Sequence, residues 1–454
     1  MIPEALFRTF LHDMKNNGAL FFEMYFDETV TAFTDMLNGQ VFPDKAEATR
    51  GVSLRAFDGE NHLCVTTEDL TDENLRALVW EMARQLSPAN NKKPLPFDAP
   101  ENIGAVTLNS AYDWNRYHES IIRRISAEQA QAKETFGEGV QVKTRCYFQN
   151  QKVQLLSSRN GAMYDARSRC CIRTEAVNGD ARVTNILTPV SYDDLKSAIR
   201  KNGLVCKNRN SGPDPVPCPE GCFDLVLLSG SSSLFFHECC GHPLEIYNAM
   251  RPDAIFRDKI GRKVASDCVS LYDSGVREGL WGSISVDDEG NPARETVLIR
   301  NGVLEGYLTD LVEGYRYGME PTGNTRRQYY RKAPTARMTN TYLAGGWCRE
   351  NDIIRSTKEG LLIRSFSFGN VNPVTGDFTV RITSGNLIRN GAIEEPFRGG
   401  VIRANALEVL SSIDRVADNL SFTNGFCHAA SGRITVSGGQ PTVRITGVPV
   451  FADN

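Results

Sequence analysis

The sequence predicts an α+β protein in two parts. An N-terminal α/β-layered domain is followed by a mostly antiparallel β domain, barrel- or sandwich-like, that carries one functional helix. Three observations predict this. Helix and hairpin patterns interleave over residues 1–205. Residues 206–221 hold four prolines and few apolar side chains, the composition of a linker. Residues 222–454 are rich in β signals and glycine turns, including Asn301-Gly302 and Asn390-Gly391.

In chain order, Glu4 to Asn16 reads as a helix and Ala19 to Tyr25 as a strand. Gly51–Phe57 and His62–Thr66 flank Asp58-Gly59, a hairpin-turn pair. Thr71 can cap a helix running to about Leu86, and Asp72 and Glu73 suit the positive end of its dipole. Asn115 to Phe136 reads as a longer helix. Val140 to Val177 alternates apolar and polar residues through several turns, which predicts a strand meander. Ser191 to Lys201 reads as a capped helix ending at Asn202-Gly203. Past the linker, the apolar run Asp224–Leu228 predicts a buried strand, and Ser229–Ser233 a polar turn able to cap a helix. Leu234, Phe235, Phe236 and Leu244 are expected to anchor that helix in a core.

Composition excludes several classes. Hydrophobic content of 41% and charged content of 23% are those of a soluble globular chain. A formal net charge of −4 argues against non-specific nucleic-acid binding. No run approaches the ~20 apolar residues of a membrane span, and residues 1–15 mix charges into short apolar stretches, unlike a signal peptide. Twelve cysteines without a secretory signal read as free thiols in a reducing cytoplasm. Cys218 and Cys222 have no matching pair nearby, so a second metal site there is not expected.

The most specific feature is His237-Glu-Cys-Cys-Gly-His242. Neutral imidazoles hold zinc, and an adjacent carboxylate, Glu238, can take a proton from water. The usual zinc-peptidase helix has its second histidine four residues after the first; here the spacing is five. In a regular α-helix that turns the two side chains about 140° apart. A π-type turn with i→i+5 bonds brings them together. Gly241 loosens the backbone before the second histidine, and Pro243 removes an N–H beyond it. The sequence therefore predicts an irregular helix at the site, or one that breaks at His242. Cys239 and Cys240 read as packing residues. A third ligand is needed, and Asn424-Gly-Phe-Cys-His428 offers two: the Cys427 thiolate and, in competition, the His428 imidazole.

Several longer motifs run in order through the C-terminal half. They are His242-Pro-Leu-Glu245, Gly323-Asn-Thr-Arg-Arg-Gln328, Tyr330-Arg-Lys-Ala-Pro334, Arg337-Met-Thr-Asn-Thr-Tyr342, Gly385–Gly391 and Gly439–Ile445. With the histidine motif they resemble the TldD/PmbA family, specifically its TldD-like subunit; the N-terminal third is similar mainly in layout. The resemblance implies a zinc-dependent peptidase acting on short or unfolded peptides, in peptide maturation or degradation. It maps His237, His242 and Cys427 to zinc ligands and Glu238 to the general base. It implies a homodimer, or a heterodimer with a related subunit that lacks the metal motif. The family's older label, modulator of DNA gyrase, reads as a name for an indirect effect. Cys239-Cys240, Pro243 and His428 depart from the family's smaller residues.

Arg326, Arg327, Arg331, Lys332 and Arg337, interleaved with Tyr329 and Tyr330, form a basic cluster. Alone it reads as a solvated or ion-paired strand face, or as an RNA or phosphate site. Given the resemblance, Arg331, Arg337 and Asn340 are expected to line a groove where an extended peptide adds to a sheet edge. Replacing Arg337 would then alter turnover and leave zinc bound. The rival reading is a peptide-binding or regulatory protein whose metal is structural or vestigial. Four protein ligands would favour the rival, and three plus an open position the peptidase.

Overall fold

The computed structural model describes residues 1–42, 45–86, 119–123, 125–127, 129–130, 141–178, 181–188, 215–231 and 233–453. They fall into two compact units, residues 1–212 with 329–333, and residues 213–328 with 334–454.

The first unit is a helix layer on an antiparallel sheet. Strands β1 (Phe21–Leu37), β2 (Gln40–Val41), β3 (Lys45–Phe57), β4 (His62–Thr67), β5 (Gln141–Ser157), β6 (Gly161–Asn178) and β7 (Ala181–Leu187) order as β4-β3-β1-β5-β6-β7, with β2 beside β1. Helix α1 (Glu4–Asn16) follows the predicted bounds, and α2 (Asp72–Gln85) is capped by Thr71, whose side chain accepts from the Asn74 N–H. Phe7, Phe10 and Met14 of α1 and Leu75, Val79 and Met82 of α2 share a core with Phe22, Met24 and Phe26 of β1 and Val52, Leu54 and Ala56 of β3. The even-numbered spacing is the strand period that turns one face to the helices.

Two elements differ from expectation. β1 continues twelve residues past Tyr25, because β3 and β5 flank it on both sides and pair its polar second half. The 140–177 region is two long strands around one turn, not a meander of several. Its polar interior stays in register, with Asn150 opposite Ser168 and Lys152 opposite Ala166. The hairpin loop after β3 spans Asp58 to Asn61, and Asp58 organises it by accepting from the N–H groups of Glu60 and Asn61. Of the predicted 115–136 helix, the described residues between 119 and 130 are helical. The predicted 191–201 helix lies outside the described residues.

The second unit holds two larger sheets. β8 (Val216–Pro217) and β9 (Gly221–Leu227) open it, so the end of the proline-rich stretch is already strand; residues 206–214 lie outside the description. β10 (Leu271–Ser274), β11 (Glu295–Arg300), β12 (Val303–Leu304) and β15 (Asn340–Leu343) join β21 (Ser421–Ala429) and β22 (Gly432–Gln440) in a sheet ordered β12-β11-β10-β15-β22-β21. β13 (Thr325–Arg326) and β14 (Thr335–Ala336) form a short ribbon. The other sheet contains β16 (Glu359–Val371), β17 (Asp377–Arg389), β18 (Ala392–Arg398), β19 (Val401–Asn405), β20 (Ile413–Val416) and β23 (Val443–Phe451). Within it β16, β9, β23, β19 and β17 close into a five-stranded barrel, since β16 also pairs β17. Most pairings are antiparallel; β16 with β9, β15 with β22 and β18 with β8 are parallel. Both predicted Asn-Gly turns form, with positive φ at Asn301, Gly302, Asn390 and Gly391, as a type I′ turn demands. Among the described residues, no helix is long and apolar enough to cross a membrane.

Candidate metal centre

The histidine segment leaves β9 at the barrel. Ser231 Oγ donates to the Leu228 carbonyl and closes the turn. Helix Ser233–Phe236 comes next, and Phe235 meets Phe378 edge-on at 5.1 Å and stacks on Phe366 at 6.0 Å. Both partners are barrel residues, so the helix start rests on β16 and β17. Phe236 and Leu244 are buried in the same core.

His237–Gly241 is a π-helix, and the His242 N–H donates to the His237 carbonyl. That is the i→i+5 bond a five-residue histidine spacing requires. His242–Leu244 then tightens to a 3₁₀ turn with Pro243 at its start, where a missing N–H costs nothing. Gly241 serves differently from expectation. Its backbone is ordinary right-handed helix, φ −59°, but a Cβ there would lie 1.8 Å from Met338 Sδ. The glycine is needed for close packing.

The π-turn sets the two imidazoles 4.9 Å apart, ring centre to ring centre, at 87°. Cys427, on β21, completes the group. Its Sγ lies 3.2 Å from His237 Nε2 and 3.3 Å from His242 Nε2. The three donor atoms lie within 4.8 Å of one another, the one such histidine, cysteine or carboxylate group among the described residues. His428 is the next residue along the strand and therefore faces the other side; it is exposed and outside the group. Cys218 and Cys222 are outside it too. Cys239 and Cys240 are fully buried in the core, where the sequence placed them. No disulfide forms among the described cysteines.

The electrostatics suit metal binding. Burial works to raise the Cys427 thiol, but His237 and His242 hold it well below the usual thiol range, towards the ligating thiolate. Burial lifts the Glu238 carboxyl above its ordinary value, and the two histidines partly offset this. His242 Nδ1 lies 3.2 Å from Glu245 Oε2, the carboxylate backing common behind metal-binding histidines. Two imidazoles and a thiolate are zinc's preferred donors, and three protein ligands leave a position open. The donor set fits zinc.

Residues 220–451, just over half of the chain, match the family model described as the PmbA/TldA metallopeptidase C-terminal domain. The chain belongs to the PmbA/TldD family. A metalloprotease TldD homolog of Buchnera aphidicola (Acyrthosiphon pisum) is 36% identical over 51% of this chain and 48% of its own length. A second Buchnera TldD homolog (Schizaphis graminum) is 26% identical over 96% of this chain and 93% of its own. A zinc metalloprotease TldD homolog of Saccharolobus solfataricus is 28% identical over half of each chain. In the first and third of these, the matched region spans about half the relative's length. The crystal structure of TldE from Thermococcus kodakarensis shares the fold, with a TM-score of 0.74 at 15% identity over 98% of this chain and 99% of that one.

The basic cluster divides in this PmbA/TldD-family chain: Arg326, Arg327 and Arg337 are buried, and Arg331 is exposed. Arg326 donates to the Thr435 carbonyl and Arg327 to the Asp288 carbonyl, both from buried positions. Arg331 pairs with Glu68 and donates to the Tyr330 hydroxyl in the first unit. Asn340 is fully buried, with its amide donating to the Ser274 carbonyl and Ser283 Oγ and accepting from the Gly282 N–H. Arg337 is 1% exposed. The sequence expected Arg337 and Asn340 to line a groove; both are buried, with their polar atoms turned inward.

Proposed function

We propose that this chain is a zinc-dependent peptidase acting on short or unfolded peptides. The observation that supports it most is that one π-turn brings His237 and His242 together beside Glu238 and Cys427 of β21 meets them there. Bound by those three residues, zinc would supply Lewis acidity towards a peptide carbonyl and make water more acidic. The remaining chemistry falls to the chain. Glu238, buried and raised in pKa by that burial, takes a proton from the attacking water at its carboxylate and returns it to the leaving amine. Glu245 holds the His242 ring in orientation through Nδ1. Three protein donors among the described residues, rather than four, favour this over a structural metal in a binding protein. Pairing as a homodimer, or with a related subunit lacking the motif, is part of the proposal.

Hydrolysis of unstructured peptides by the metal-loaded protein, alone and with such a subunit, is the test. Glu238→Gln should keep zinc and lose about 10²–10⁴-fold in rate. Hydrolysis at the wild-type rate by Glu238→Gln would remove the base from the mechanism. Zinc-loaded protein that binds peptides and never cleaves them, in either assembly, would favour the binding protein.

A further inference from the structure

Behind the donors, one side chain touches both segments that supply them. Arg337 Nε lies 3.6 Å from Glu245 Oε1, and Glu245 Oε2 faces His242 Nδ1. On its other side, Arg337 Nη1 donates to Ser431 Oγ at 2.7 Å and to the Gly432 carbonyl at 3.2 Å. Ser431 and Gly432 lie where the β21–β22 hairpin turns, and β21 of that hairpin carries Cys427. His242 and Cys427 are 185 positions apart in the chain, and the guanidinium spans the gap.

We infer that Arg337 and Glu245 are positioning residues that hold the two halves of the metal centre in register; the inference rests on the zinc reading. Glu245 is 5% exposed. A carboxylate so buried is costly without a countercharge, and breaking a buried pair leaves the other charge uncompensated. Arg337 supplies the countercharge. Glu245 in turn fixes the His242 ring with Nδ1 towards the carboxylate and Nε2 towards Cys427. Arginine suits the place because its planar fork reaches the carboxylate with one nitrogen and the hairpin with another, which an ammonium cannot do. Among the described residues, Arg337 Nε and Nη2 and Glu245 Oε1 make no hydrogen bond, so the pair is held by charge, and the firm hydrogen bonds go to the hairpin.

The test is zinc affinity by chelator competition, together with the visible spectrum of the Co²⁺-loaded protein, which reports thiolate coordination. Arg337→Met and Glu245→Gln should each weaken zinc binding by about 10–100-fold and alter the cobalt spectrum. The double variant should lose little more than the worse single one, since both act through one contact. Arg337→Lys, the variant least disturbing to folding, should lose affinity in the wild-type background and little further in Glu245→Gln. Arg337 variants with unchanged zinc affinity and cobalt spectrum would overturn the inference, and a raised KM alongside would return Arg337 to the substrate. A wild-type protein that takes up neither ion would instead refute the metal reading on which it rests.

Discussion

The residue scale carries the chemistry, and it was legible in part. The histidine spacing and the adjacent glutamate are local in sequence, so the convergence of the two imidazoles could be read directly. Cys427 followed from donor chemistry and resemblance, and the strand alternation that turns His428 away separates the two candidates. Glu245 and Arg337 gave no comparable signal: a buried arginine looks in sequence like a surface one, and only tertiary packing shows which way it faces. Gly241 was read for flexibility, while the structure uses its missing side chain against Met338. Met338 is fully buried, so Gly241→Ala should overpack the site and cost about 1–3 kcal/mol. Denaturant unfolding of the variant measures this, and a midpoint equal to wild type would contradict it.

At the scale of elements, the π-turn was predictable because five-residue spacing leaves few ways to point two side chains together. Strand lengths were less so. β1 outruns its apolar stretch because neighbours on both sides pair it, and pairing partners cannot be read from one segment. The turn at Asp287–Asn291 makes a further prediction. Asp287 is buried and accepts from the N–H groups of Glu289, Asn291 and Thr325. Burial, then the charge of Glu289, pushes its carboxyl from the ordinary 3.8 up to about 7. A raised pKa in the folded state means that folding takes up a proton. The stability it contributes is complete below the unfolded value and is lost as pH rises through the folded one. Relative to Asp287→Asn, the wild type should gain stability as pH falls from about 7, by up to about 1.4 kcal/mol per pH unit. Unfolding midpoints of both proteins across that range test it, and parallel pH profiles would contradict it.

For the whole molecule, the α+β class and the β-rich second part were legible because turn pairs and alternation recur along the chain. The assignment of residues 329–333 to the first unit was not. There the Tyr330 N–H donates to Asp27 and its hydroxyl to Glu68, and its ring leaves no room for a side chain at Gly51. These are contacts across hundreds of positions, invisible to any local pattern. Burial of Arg326, Arg327 and Arg337, also through distant partners, likewise separates them from the exposed Arg331 in what is one basic run in sequence. The candidate metal centre depends on the same long-range folding, since its third donor would arrive from β21. Zinc content and affinity of protein purified without a histidine tag, compared among wild type, Cys427→Ala and His428→Ala, test that assembly most directly. About one zinc per wild-type chain, lost or strongly weakened in Cys427→Ala and kept in His428→Ala, is the predicted result. Cys427→Ala that holds zinc as tightly as wild type would contradict the account.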